Sequence, residues 1–151
     1  MAGTPNRSKL ALTLLLLTFF TVWSGCRAVE VGQEEPVEMG NQLYQQNCAT
    51  CHGIDGQGAQ DWMIRGPEGR YPPPAHDSTG HTWHHSDGLL FQYVKQGGAS
   101  LNIPKFESGM PPFEGKLSDE EIRAVILYLK TLWEPEQREY QARASERDPF
   151  P

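Results

Sequence analysis

Cys48-Ala49-Thr50-Cys51-His52 places two thiols three residues apart, with an imidazole immediately after them. Thiols at that spacing on one helical face can meet the two vinyl groups of a single porphyrin and form thioethers, and the next residue then turns its imidazole toward the iron. C-x-x-C-H therefore reads as the attachment sequence for one covalent haem c per chain, with His52 as an axial ligand. Two other chemistries use paired cysteines. A thioredoxin-like redox pair expects a strand before it in a βαβ setting, whereas here a helical pattern precedes the motif and a Gly-rich stretch follows it. A zinc site wants a second Cys or His pair at finger spacing, and the only other cysteine is Cys26, near the N-terminus.

A second group of chemically able residues is His76, His81, His84 and His85. Imidazoles suit copper and zinc, and a His81/His85 pair would be the minimal form of a second metal site, as in a periplasmic copper-handling protein. One of the four could instead donate to a haem propionate and couple potential to pH. No Cys, Met or carboxylate arrangement nearby completes a ligand set. The favoured expectation is that Trp83 packs on the haem edge while the histidines cap, pack or face solvent. Trp62, Arg65, Arg70 and Trp83 are candidate donors to the propionates, since partly buried charges seek partners.

These residues must be held by helices and long loops. From Met39 to Cys51 the spacing is helical, with Gly40, Leu43, Tyr44 and Asn47 on one side. Residues 53–74 are rich in Gly and Pro and read as loop. Ser86 is placed to cap a helix over 87–96 with Leu89, Leu90, Tyr93 and Val94 inward, closed by Gly97-Gly98. Ser118-Asp119-Glu120-Glu121 is a capping box, and the helix it starts carries Ile122, Val125, Ile126, Leu129 and Trp133 as one stripe. Glu134-Pro135 reads as a break. The expected fold is all-α, a small domain of three to four short helices whose long loops wrap a haem. Residues 26–38 are expected to be an acidic tether, 39–133 the domain, and 134–151 a polar C-terminal tail that could be helical.

Over residues 39–133 the chain resembles a class I cytochrome c. Gly40 and Tyr44 stand at that family's glycine and aromatic contact positions, and Val125 and Tyr128 match the residues that cross against them. The resemblance implies a sixth iron ligand at Met110, which lies 58 residues after His52 ahead of the last helix, stiffened by Pro111 and Pro112. Met63 is the rival, with neighbours Trp62 and Ile64 that suggest packing. The resemblance also implies that a proline carbonyl accepts from His52; among Pro72, Pro73 and Pro74, either Pro73 or Pro74 fits by position. Pro73 and Trp83 are the candidate haem contacts.

The bulk numbers agree with a cofactor-centred domain. Of 151 residues only 38% are hydrophobic, while Gly (15) and Pro (12) abound, leaving little apolar material for a core without a filler. A mean hydropathy of −0.55 excludes a polytopic membrane protein, and a net charge of −6 argues against nucleic acid as a partner. Arg7 and Lys9 precede a 13-residue apolar run, Leu10 to Val22, which is an export signal rather than a comfortable membrane span. Ser24-Gly25-Cys26 resembles a bacterial lipoprotein site, with Trp23 where such signals carry leucine; ordinary cleavage nearby and a retained anchor are the other readings. The expectation for 1–25 is thus a signal peptide, with Cys26 the candidate for lipidation and the protein periplasmic or on the outer face of the cytoplasmic membrane. The expected function is electron transfer, as a carrier or subunit, to a redox protein or membrane respiratory complex. A peroxidase-like haem enzyme or gas sensor with a displaceable Met is the alternative.

Overall fold

The computed structural model describes residues 34–101, 104 and 107–151; the signal segment, Cys26 and the first part of the tether lie outside them. The described chain is helical and contains no strand, as expected. Its helices are α1 (Glu34–Asn47), α2 (Ala49–His52), α3 (Asp87–Gln96), α4 (Asp119–Thr131) and α5 (Pro135–Ser145), with 3₁₀ turns at Thr82–His84 and Gly98–Leu101.

α1 begins at Glu34, so residues 34–38 are helix and not tether. Two features that read as irregular fit a helix start. Glu34 and Glu35 lie at the positive end of the helix dipole, and Pro36 falls in the first turn, where a missing amide hydrogen costs no intrahelical bond. At the other end the chain runs almost straight on into α2. The amides of Cys48 and His52 donate to the carbonyls of Tyr44 and Cys48 at 2.8 and 2.9 Å, which keeps the haem motif helical.

α1 crosses α4 at Gly40. A Cβ there would lie 2.0 Å from the Ala124 carbonyl oxygen, so only glycine lets the two backbones approach this closely. Tyr44 and Tyr128 fill the flank with ring centroids 5.2 Å apart, and the Tyr44 hydroxyl donates to the Gly53 carbonyl at 2.8 Å. α4 starts as its sequence indicates. Ser118 accepts from the Glu121 amide while the Glu121 carboxylate accepts from the Ser118 amide, and Ile122, Val125, Ile126, Leu129 and Trp133 are all buried.

Ser86 caps α3 by accepting from the Leu89 amide. Its buried apolar residues are Leu90, Phe91 and Val94, while Leu89 and Tyr93 are half-buried. Phe91 is drawn in because Phe150, from the C-terminus, packs edge-on against it at 6.5 Å. That contact comes from residues 134–151, the polar tail that could be helical, which does form a helix and packs back on the domain. Pro135, read as a breaker, is the first residue of α5, a position that suits its fixed φ. α5 docks through hydrogen bonds. Gln141, 1% exposed, donates to Asp87 Oδ1 at 2.7 Å, and Gln137 donates to the Ser78 carbonyl at 2.9 Å.

Candidate functional site

His52 closes α2 and is 8% exposed. Its Nδ1 lies 2.9 Å from the Pro74 carbonyl oxygen. A carbonyl only accepts, so Nδ1 carries the proton and Nε2 keeps its lone pair, which is the tautomer a metal ligand needs. Between the two prolines left open by sequence, the acceptor is Pro74; the Pro73 carbonyl instead accepts from the Ala59 amide at 2.9 Å. Burial holds the His52 pKa below the usual histidine range, with the Pro74 bond acting the other way. Cys51 is exposed and Cys48 half-buried. Burial pushes the Cys48 thiol up to about 11, against a lowering pull from Lys116.

The histidine-rich segment divides into an inner residue and an outer group. His76 stacks on His52 with centroids 4.1 Å apart and planes 29° from parallel. Burial, and then His52 and His81, hold its pKa well below the ordinary value. Farther out, His81 stacks on Trp62 at 5.4 Å and meets His85 edge-on at 5.4 Å. His84 lies against Trp83 at 3.7 Å, and Tyr140 of α5 stands edge-on to both. The outer histidines are thus engaged with aromatic rings. Among the described residues no group of three or more His, Cys, Asp or Glu could hold a metal ion.

Burial lowers the pKa of both His81 and His85, and neighbouring imidazoles add to the effect. Because these folded-state values lie below the unfolded value of about 6.5, the unfolded chain binds more protons as pH falls through that region. Stability should therefore fall from about pH 7 toward pH 5. His85→Asn should make that fall shallower in urea titrations of the holoprotein, and an unchanged slope would remove His85 from the account.

Met110 lies half-buried against the same core cluster as Cys48 and Trp83. Its loop is pinned to the end of α3 by main-chain bonds. The Gly98 amide donates to the Met110 carbonyl at 3.1 Å, and the Phe113 amide to the Val94 and Lys95 carbonyls at 3.1 Å. The Met110 amide donates to Ser108 Oγ at 3.1 Å. A Cβ on Gly98 would stand 1.9 Å from that hydroxyl oxygen, so the docking depends on glycine. Met63, the rival thioether, is 73% exposed.

The other candidates for haem contacts have partners in the protein. Trp83 spends its indole N–H on the Gly80 carbonyl at 3.0 Å. Arg65 lies over the Tyr71 ring, and Arg70 is 4.0 Å from Glu107. Sequence reasoning did not single out Thr82, whose Oγ1 lies 2.8 Å from His76 Nδ1, or Ala75, whose carbonyl accepts from Thr82. No local pattern announces them, because their role comes from a loop folded back on the haem motif.

The donor set fits a covalent haem: two thiols at the end of a helix, beside an imidazole whose free nitrogen is an unprotonated base. The family model for cytochrome c matches residues 37–133. Among solved structures, cytochrome cL from the marine methylotrophic bacterium Methylophaga aminisulfidivorans MPT is 17% identical, with 91% of this chain and 75% of that chain covered at a TM-score of 0.49. No curated protein matches the chain significantly.

Proposed function

Since this chain belongs to the cytochrome c family, carrying covalent haem c for electron transfer, we propose that Met110 is the sixth iron ligand and that the protein works on the outer side of a membrane. Bound haem supplies a one-electron ferric/ferrous couple. Cys48 and Cys51 would attach it and His52 Nε2 would ligate it, while the Pro74 carbonyl holds that imidazole in its tautomer and raises its basicity. A thioether at Met110 favours ferrous iron and leaves no open position, which suits a carrier and not an oxygen- or peroxide-using enzyme.

The observation that carries the Met110 reading is the pinned loop, with its residues fastened through main-chain atoms to Gly98 and the end of α3. A ligand held this way needs little reordering when the iron changes oxidation state. The membrane reading is supported by the basic, apolar and small-residue pattern ahead of Cys26. A lipid on Cys26 would confine the carrier near a membrane respiratory complex or another redox protein and raise its effective concentration there.

Met110→Ala in holoprotein should abolish the weak long-wavelength iron–sulfur band and let the reduced form bind carbon monoxide at once. Gly98→Ala should weaken the same band, because the new methyl would displace Ser108, whose hydroxyl accepts from the Met110 amide. A Met110→Ala spectrum identical to wild type, still closed to carbon monoxide, would overturn the assignment. Immediate carbon monoxide binding by the unaltered protein would favour the enzyme or sensor reading.

A further inference from the structure

The Pro74 carbonyl holds His52 Nδ1 at 2.9 Å, and a turn of the ring about a bond from Nε2 to iron would have to be taken up in the His52 side-chain torsions. Contact on the ring face bears directly on that turn, and His76 lies there, 4.1 Å away and 29° from parallel.

His76 is itself tied at three points. Its amide donates to the Gly56 carbonyl at 2.6 Å, and its carbonyl accepts from Trp133 Nε1 at 2.8 Å. Its ring Nδ1 is 2.8 Å from Thr82 Oγ1. The Thr82 hydroxyl has one hydrogen, which it gives to the Ala75 carbonyl at 3.3 Å. With that hydrogen so used, the hydroxyl accepts from His76, whose Nδ1 carries a proton. A leucine or phenylalanine here could fill space but would have no polar handle to lock the angle of its side chain.

We propose that His76 is a positioning residue for the axial ligand: held by Thr82, its ring fixes the rotation of the His52 imidazole about the bond to iron. The inference uses only ligation by His52 and stands whether or not Met110 is the sixth ligand. Outer groups that orient a ligating histidine tune the metal through it, and the imidazole plane sets how unpaired spin is distributed over the porphyrin in the ferric state.

Proton NMR of the oxidised holoprotein reads that distribution through the paramagnetically shifted haem methyl resonances. His76→Leu and Thr82→Val should both change the order or spread of those resonances, while Thr82→Ser, which keeps the hydroxyl, should leave them as in wild type. Covalent haem content and the axial-ligand bands of the visible spectrum should stay the same in all three. Wild-type methyl shifts in either His76→Leu or Thr82→Val would overturn the proposal. So would equal changes in Thr82→Ser and Thr82→Val, which would assign the effect to bulk packing. Should His76→Leu fail to mature, the two Thr82 variants still decide.

Discussion

Gly40→Ala should lower the thermal midpoint of the holoprotein by roughly 10 °C, the largest effect expected from adding a single methyl group. The new Cβ would stand 2.0 Å from the Ala124 carbonyl oxygen, 2.5 Å from its carbon and 3.1 Å from Tyr128 Cβ. Two of those three atoms are backbone and belong to α4, so no side-chain rotation relieves the clash. The helices must separate instead. Overpacking of this kind costs about 1–3 kcal/mol and occasionally more. Here the upper end applies, because separation also parts the Tyr44 and Tyr128 rings and loosens contacts along both helices. Gly115→Ala is the matched control: a Cβ there meets nothing within 4 Å, and the midpoint should move by only about 2 °C. Equal small shifts in the two variants, followed by circular dichroism, would mean that α1 and α4 do not cross in contact at Gly40.

The parts of this fold legible in sequence are those whose cause is local or periodic. Ser86 and Ser118 announce their helices because an N-cap needs only a side-chain oxygen next to free amides. The α4 stripe is legible because apolar residues at helical spacing have one sensible use. The haem motif is legible because thioether chemistry fixes its spacing. What stayed hidden depends on partners distant in the chain. α5 has no apolar stripe to reveal it, since Gln137, Gln141 and Ser145 bind through hydrogen bonds. Phe91 is covered by Phe150, Lys95 and Arg123, two of them distant in the chain. The choice between Pro73 and Pro74 turns on where Ala59 takes its own acceptor, a matter of loop path that no residue pattern records.

Asp87→Ala should destabilise the protein by about 2–3 kcal/mol, since it leaves the part-buried Lys130 ammonium without its carboxylate and removes an acceptor of the buried Gln141. Asp87 is 9% exposed. Its Oδ1 lies 2.6 Å from Lys130 Nζ, its Oδ2 accepts from the same nitrogen at 2.8 Å, and Gln141 Nε2 donates to Oδ1 at 2.7 Å. Ser145 Oγ then accepts from the Asp87 amide at 3.0 Å and donates to the Gln141 carbonyl at 3.0 Å. One carboxylate therefore joins the start of α3, the end of α4 and the buried face of α5. Glu139→Ala gives the scale for comparison. It removes an ion pair with Arg143 whose side chains are largely exposed, and its cost should stay near the roughly 0.5 kcal/mol of an i, i+4 surface pair. Adding Lys130→Met to Asp87→Ala should recover part of the loss by removing the unpaired ammonium, while Gln141 still lacks the shortest of its three bonds. Full recovery would mean that the charge alone mattered and that α5 docks without the network. No recovery would put the whole cost on the lost bond from Gln141. The partial result expected here makes the C-terminal segment part of the folded unit, because the shortest bond of the buried Gln141 goes to an acceptor on α3.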